Sequence, residues 1–274
     1  MSNFFKDQNI ILTKTNEIQF YTKMIHILEQ AGELGHVFAT MVEWNVPIYV
    51  LANFWPEKLP TSLSIGGVPN FAYAASEPNW KNKIENLHSN AQKLTDTDIR
   101  IDINKSYIMQ CESVISLLRY QNTDQLCLIE FKMPKQNSEN LQIQKRTEPH
   151  TLFTTESNQT ISHFTLQGSF TINNTNLMPI SKRHYTIIAF QIMVREITGL
   201  AILASALAKY HNYKNMNKSL MQSYQAQLLE IRSQPRIKND GLLIATKTIQ
   251  HFIKSGVPMH SLWFKLPFNI ESEG

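Results

Sequence analysis

The sequence predicts an α+β fold: an antiparallel or mixed sheet with flanking helices, followed by a C-terminal helical segment of about three helices. Three observations predict it. Runs between Ile99 and Ile172 alternate apolar and polar residues, the period of a half-buried strand. After Pro179 the apolar spacing becomes that of amphipathic helices. Charge changes at the same place. Residues 178–274 hold 12 Lys/Arg against 5 Asp/Glu, and the remainder holds 14 against 17. This divides the chain into an α+β sensing or interaction domain, 1–177, and a basic helical domain, 178–274.

From the N-terminus, "NEIQFYTKMIHILEQAGELG" places Ile18, Tyr21, Met24, Ile25 and Leu28 on one helical face, with Thr15 or Asn16 to cap it. "HVFATMVEW" and "VPIYVLANFW" read as strands, being rich in Val, Ile and aromatics. "PEKLPTSLSIGGVPNFAYAASEPNW" carries four of the eleven prolines and a Gly-Gly pair, and reads as a long loop holding at most one strand. "NWKNKIENLHSNAQKL" has helical spacing of Trp80, Ile84, Leu87 and Ala91. "IRIDI" is a short alternating strand. "SVISLLRY" and "QLCLIEFKM", joined by "QNTD", form a hairpin. "LQIQKR", "TLFTTES" and "SHFTLQGSFTI" continue a meander. The helices are expected over 184–212, 216–233 and 240–255, the last stopped by Gly256 and Pro258.

The bulk composition bounds the class. The 274 residues are 42% hydrophobic and 18% charged, so the chain can bury a sizeable core and its surface is polar more than ionic. The two cysteines, Cys111 and Cys127, sit in apolar runs and read as buried thiols of a reducing compartment, which with an N-terminus unlike a signal peptide implies the cytoplasm. The nine histidines show no metal-ligand spacing, so no zinc site is expected. "TIIAFQIMVREITGLAILASALA" is long enough to span a bilayer, but Gln191, Arg195 and Glu196 fall near its middle, and a buried core helix with no membrane span is expected.

Three constellations could carry chemistry. The first is E-x-K on a strand, Glu130 and Lys132, which with Glu112 on the partner strand, or Asp102 upstream, would make a Mg²⁺-dependent nuclease. Against it, Pro134 follows where a helix should begin, and E-x-K is ordinary on a solvated strand face. The second is the aromatic set Trp44, Tyr49, Phe54, Trp55, Phe71, Tyr73 and Trp80, which either lines a pocket for a small apolar ligand or forms the core. The third is the cations Lys182, Arg183, Lys209, Lys214, Lys218, Arg236 and Lys238, spaced for phosphate contact with nucleic acid, with Tyr210 and Tyr213 between them. No nucleophile elbow, dinucleotide fingerprint or phosphate loop is present. The expectation is a cytoplasmic, non-enzymatic binding or regulatory protein without a cofactor. Its α+β half would bind a small ligand or a protein partner, and its basic half nucleic acid or another macromolecule. A metal-dependent nuclease and a structural or host-interaction protein are the alternatives.

Overall fold

The computed structural model describes residues 3–4, 14–31, 34–64, 68–79, 84–146, 162–210, 217–234 and 236–254. Its first long element is the helix α1 (Lys14–Ala31), which buries Tyr21 and Met24 of the expected face and half-buries Ile18 and Ile25, with Phe20 buried beside them. Two further helices follow, α2 (Leu34–Asn45) and α3 (Pro47–Phe54), where strands were expected. The reason is burial on all sides. Val37, Phe38, Ala39, Met41 and Trp44 of α2 are all buried, as are Pro47 to Leu51 of α3, so neither helix shows an amphipathic stripe. The readable signal is Pro47, which occupies the first turn of α3, where its missing N–H costs nothing.

A two-residue ladder joins β1 (Asn3–Phe4) to β2 (Leu63–Ser64). The main sheet has eight strands. They are β3 (Phe71–Ala74), β4 (Asn90–Lys93), β5 (Asp98–Met109), β6 (Ser113–Tyr120), β7 (Leu126–Lys132), β8 (Leu141–Lys145), β9 (His163–Asn173) and β10 (Leu177–Ile180). The order is β10-β7-β6-β4-β5-β9-β8, with β3 also on β6. β3 and β4 run parallel to β6 and share its one edge, β3 opposite Ser113–Ser116 and β4 opposite Arg119–Tyr120. All other pairings are antiparallel, so the sheet is mixed.

The β6–β7 hairpin forms as the sequence predicts. Gln121 and Asn122 of its turn both lie in the left-handed region, φ 55° and 56°, the geometry that matches the twist of a tight hairpin. "NAQK", expected in a helix, is β4. Its four residues fill the gap between β5 and β6, and a ladder with strands distant in sequence outweighs local helical spacing. "TLFTTES" lies outside the described residues.

Alternate side chains divide the sheet into two faces. Ile115, Leu117, Leu126 and Leu128 point into the main core, against the helices. Val114, Leu118, Cys127 and Ile129 point into a second core built almost wholly from strand residues. Burial pushes both thiols, Cys111 and Cys127, up to about 12, so neither is a nucleophile at neutral pH.

The helices α4 (Lys182–Tyr210), α5 (Lys218–Arg232) and α6 (Asn239–Lys254) match the expected C-terminal segment. The boundary expected at 177/178 falls inside β10, and one apolar core runs across it from Phe20 to Phe252. α4 is long and apolar enough to cross a membrane by length and composition, and 72% of that stretch is buried inside the fold.

Gly199 lets α4 approach α1 and α2 closely. A Cβ there would stand 2.6 Å from both Asn45 Nδ2 and Tyr21 Oη. Gly199→Ala is therefore expected to destabilise the fold by about 1–3 kcal/mol through overpacking. Urea unfolding measures it; an unchanged midpoint would show that the contact yields freely.

Glu43 of α2 faces the start of β3, where it accepts the Phe71 N–H at 3.0 Å. Its other oxygen has no partner among the described residues, and burial pushes the carboxyl up to about 8. The native state therefore holds a proton here that the unfolded chain releases above its ordinary value of 4.5. Stability from this group falls as pH rises through that window. Glu43→Gln removes the effect, and between pH 5 and pH 8 the variant should gain about 2–4 kcal/mol relative to the parent. Parallel pH profiles of the two proteins would refute this.

Candidate functional site

A seam between the sheet and the helices brings together groups from three elements. β3 carries Tyr73 to the helix side, where parallel pairing sets it opposite Ile115 of β6. The first turn of α4 carries His184 and Tyr185, and α3 ends at Phe54. The Tyr73 and Tyr185 hydroxyls lie 2.6 Å apart. The Phe54 ring packs on His184 at 4.6 Å and on Tyr185 at 6.3 Å. At the rim, Lys182 pairs with Glu85 at 3.2 Å. Lys58 lies over the Trp55 ring at 5.1 Å and pairs with Glu130 at 2.6 Å.

The two phenols define what this seam can do. Burial pushes Tyr185 up to about 12 and Tyr73 well above its ordinary value, so both keep their protons at neutral pH. One hydrogen bond joins them, but the pair has two O–H protons. The second has no acceptor among the described residues. The seam thus offers aromatic faces and a hydroxyl donor, with cations nearby. That donor set suits a planar group with carbonyl and ring-nitrogen acceptors.

The structure separates the sequence-predicted aromatic set. Trp44 stacks on Phe20 at 4.7 Å and donates its indole N–H to Glu17 at 3.0 Å. Tyr49 lies under Arg195 at 4.4 Å. Phe71 is core. Tyr73 and Phe54 reach the seam, Trp55 lies beside Lys58 near it, and Trp80 lies outside the described residues. Sequence reasoning missed Tyr185 and His184. Both stand in "SKRHY", where the neighbouring cations drew the reading.

The nuclease constellation does not assemble. Glu130 is held by Lys58, and Asp102, three strands away across β6 and β4, accepts from Ser169 at 2.5 Å and Arg100 at 3.2 Å. Glu112 is exposed, just before the strand, and Lys132 is exposed at the strand end. No group of three metal-binding side chains occurs among the described residues. Of the cations, Lys182 is paired with Glu85, while Arg183, Arg236 and Lys238 are exposed. The side chains of Lys209 and Lys218 lie outside the described residues, as does all of Lys214.

This α+β arrangement of helices on a mixed sheet matches the fold of solved acyl-CoA dehydrogenase-like structures. Among solved structures, an FAD-dependent dehydrogenase superposes at TM-score 0.67 with 14% identity, over 92% of this chain and 77% of that one. Butyryl-CoA dehydrogenase from Megasphaera elsdenii superposes at 0.56 with 11% identity, over 84% and 67%. FMN-bound TdsC from Paenibacillus sp. A11-2 superposes at 0.51 with 12% identity, over 87% and 73%. No protein-family model and no curated protein matches the sequence.

The likeness corrects the functional expectation. The basic helices belong to the same fold as the sheet, a fold also seen in an FAD-dependent dehydrogenase and in FMN-bound TdsC. That overturns the non-enzymatic regulatory reading and its nucleic-acid-binding half, and the nuclease and host-interaction alternatives fall with it. It also counts against the expectation of no cofactor.

Proposed function

We propose that this protein is a flavin-dependent oxidoreductase whose seat for the flavin ring is the seam between β3 and the start of α4. One observation carries the reading: the chain follows the fold of an FAD-dependent dehydrogenase over 92% of its length. The seam supports it through its residues. The unspent hydroxyl proton of the Tyr73–Tyr185 pair would bind a ring carbonyl or nitrogen, and Phe54 and His184 would pack on the ring. When bound, a flavin supplies two-electron chemistry by taking hydride from an organic substrate. The phenols keep their protons at neutral pH and orient the ring by donation. They are not general bases.

The test is titration with FAD and with FMN, followed by quenching of flavin fluorescence, for the parent and for Tyr185→Phe. The variant keeps the ring but loses one hydroxyl. Its affinity is expected to fall about 5- to 10-fold, the worth of one hydrogen bond. Equal affinities would remove the flavin from this seam, and no quenching by either flavin in the parent would end the reading altogether.

A further inference from the structure

A second cluster, away from the seam, lies buried among α1, α2, α4 and α5. Glu17 accepts from Arg195 at 2.6 Å through one oxygen, and from Arg232 at 2.8 Å and Trp44 at 3.0 Å through the other. Asn45 Oδ1 accepts from Arg232 at 2.6 Å and Tyr21 at 2.9 Å. Every acceptor of the cluster is engaged, but three donors are not. Arg195 Nε, Arg232 Nε and Asn45 Nδ2 are buried without a partner among the described residues.

The charges do not balance either. Two guanidiniums, which stay charged at neutral pH, face one carboxylate, and all three side chains are buried. Glu196, next along the chain, does not make up the difference. Burial pushes it up to about 8, and no guanidinium acts on it. The faces of Arg195 and Arg232 lie on Tyr49 and Tyr21, which ease the burial of a cation without neutralising it. Water could satisfy such donors, but it would leave an uncompensated buried positive charge, which is costly.

We infer that this network is a binding site for one small inorganic anion of halide size, held by Arg195, Arg232 and the Asn45 amide. The site is distinct from the proposed flavin seat and stands whether or not that reading holds. The anion would act as a structural counter-ion that ties α4 and α5 to the N-terminal helices.

The experiment is thermal unfolding of the full chain in sodium chloride and in sodium gluconate at equal ionic strength. Chloride is expected to raise Tm saturably by about 2–4 °C, by mass action on the folded state. Asn45→Asp places a fixed carboxylate beside Arg232, and should abolish the chloride response. Equal Tm in the two salts for the parent overturns the inference, as does a variant that keeps the response. Should Asn45→Asp fail to fold, bromide-soaked crystals of the parent decide. An anomalous peak in contact with Arg195 and Arg232 supports the site, and its absence overturns it.

Discussion

Glu17→Ala is expected to cost about 3–5 kcal/mol, enough to unfold much of the protein at ordinary temperature, because it strands two buried guanidiniums. Among the described residues Glu17 is the one carboxylate that both Arg195 and Arg232 reach, and it also receives the Trp44 indole. Its pKa is lowered: burial acts to raise it, and the two arginines overcome that. A lowered carboxyl pKa contributes stability that is present above the ordinary value and lost as pH falls through the native one. Acid unfolding of the parent should therefore begin below about pH 4.5 as far as this group is concerned. Glu17→Gln should recover little, since a neutral amide accepts hydrogen bonds but leaves both charges. Chemical unfolding measures the loss, and a cost under about 1 kcal/mol would mean that the arginines find other partners.

The second large effect is expected at Glu77, between β3 and β4. Its carboxylate takes the Lys105 ammonium at 2.6 Å and the backbone N–H groups of His88 and Ser89 at 2.6 and 3.0 Å. Lys105 is fully buried and also donates to the Leu117 carbonyl at 2.7 Å. The sheet needs this pair where its pattern breaks. β5 loses register with β9 between Lys105 and Ile108, and the ion pair fastens that break to β6 and to the β3–β4 connection. Glu77→Ala should cost about 3–5 kcal/mol at pH 7. Burial already holds Lys105 down to about 8 against an ordinary 10.5. Across that window the unfolded chain binds the extra proton, so stability from this group rises with pH. The cost of Glu77→Ala should shrink as pH approaches 10, and the double change Glu77→Gln with Lys105→Met should recover most of it. A cost that does not vary with pH would assign the loss to the backbone contacts instead.

Both networks show why part of this fold is legible in the sequence and part is not. The turn "QNTD" and the helices after Pro179 are written locally, in two left-handed turn residues and in apolar spacing. α2 and α3 were hidden because burial on every side removes the stripe that distinguishes a helix from a strand. β4 was hidden because its ladder depends on strands that follow it. The excess positive charge after residue 178 was real, but Arg195 and Arg232 take part of it inside the protein, onto a carboxylate 178 and 215 positions away. No spacing rule links such residues. Tyr73 entered the aromatic set by composition, while its partner Tyr185, 112 positions later, had no local signature.

The most direct measurement is the visible absorption spectrum of the purified protein after incubation with FAD or FMN and removal of free ligand. A flavin-dependent oxidoreductase should retain close to one flavin per chain, and its absorption band should bleach when the protein is reduced without oxygen by dithionite. A protein that retains neither flavin after this treatment contradicts the proposed function.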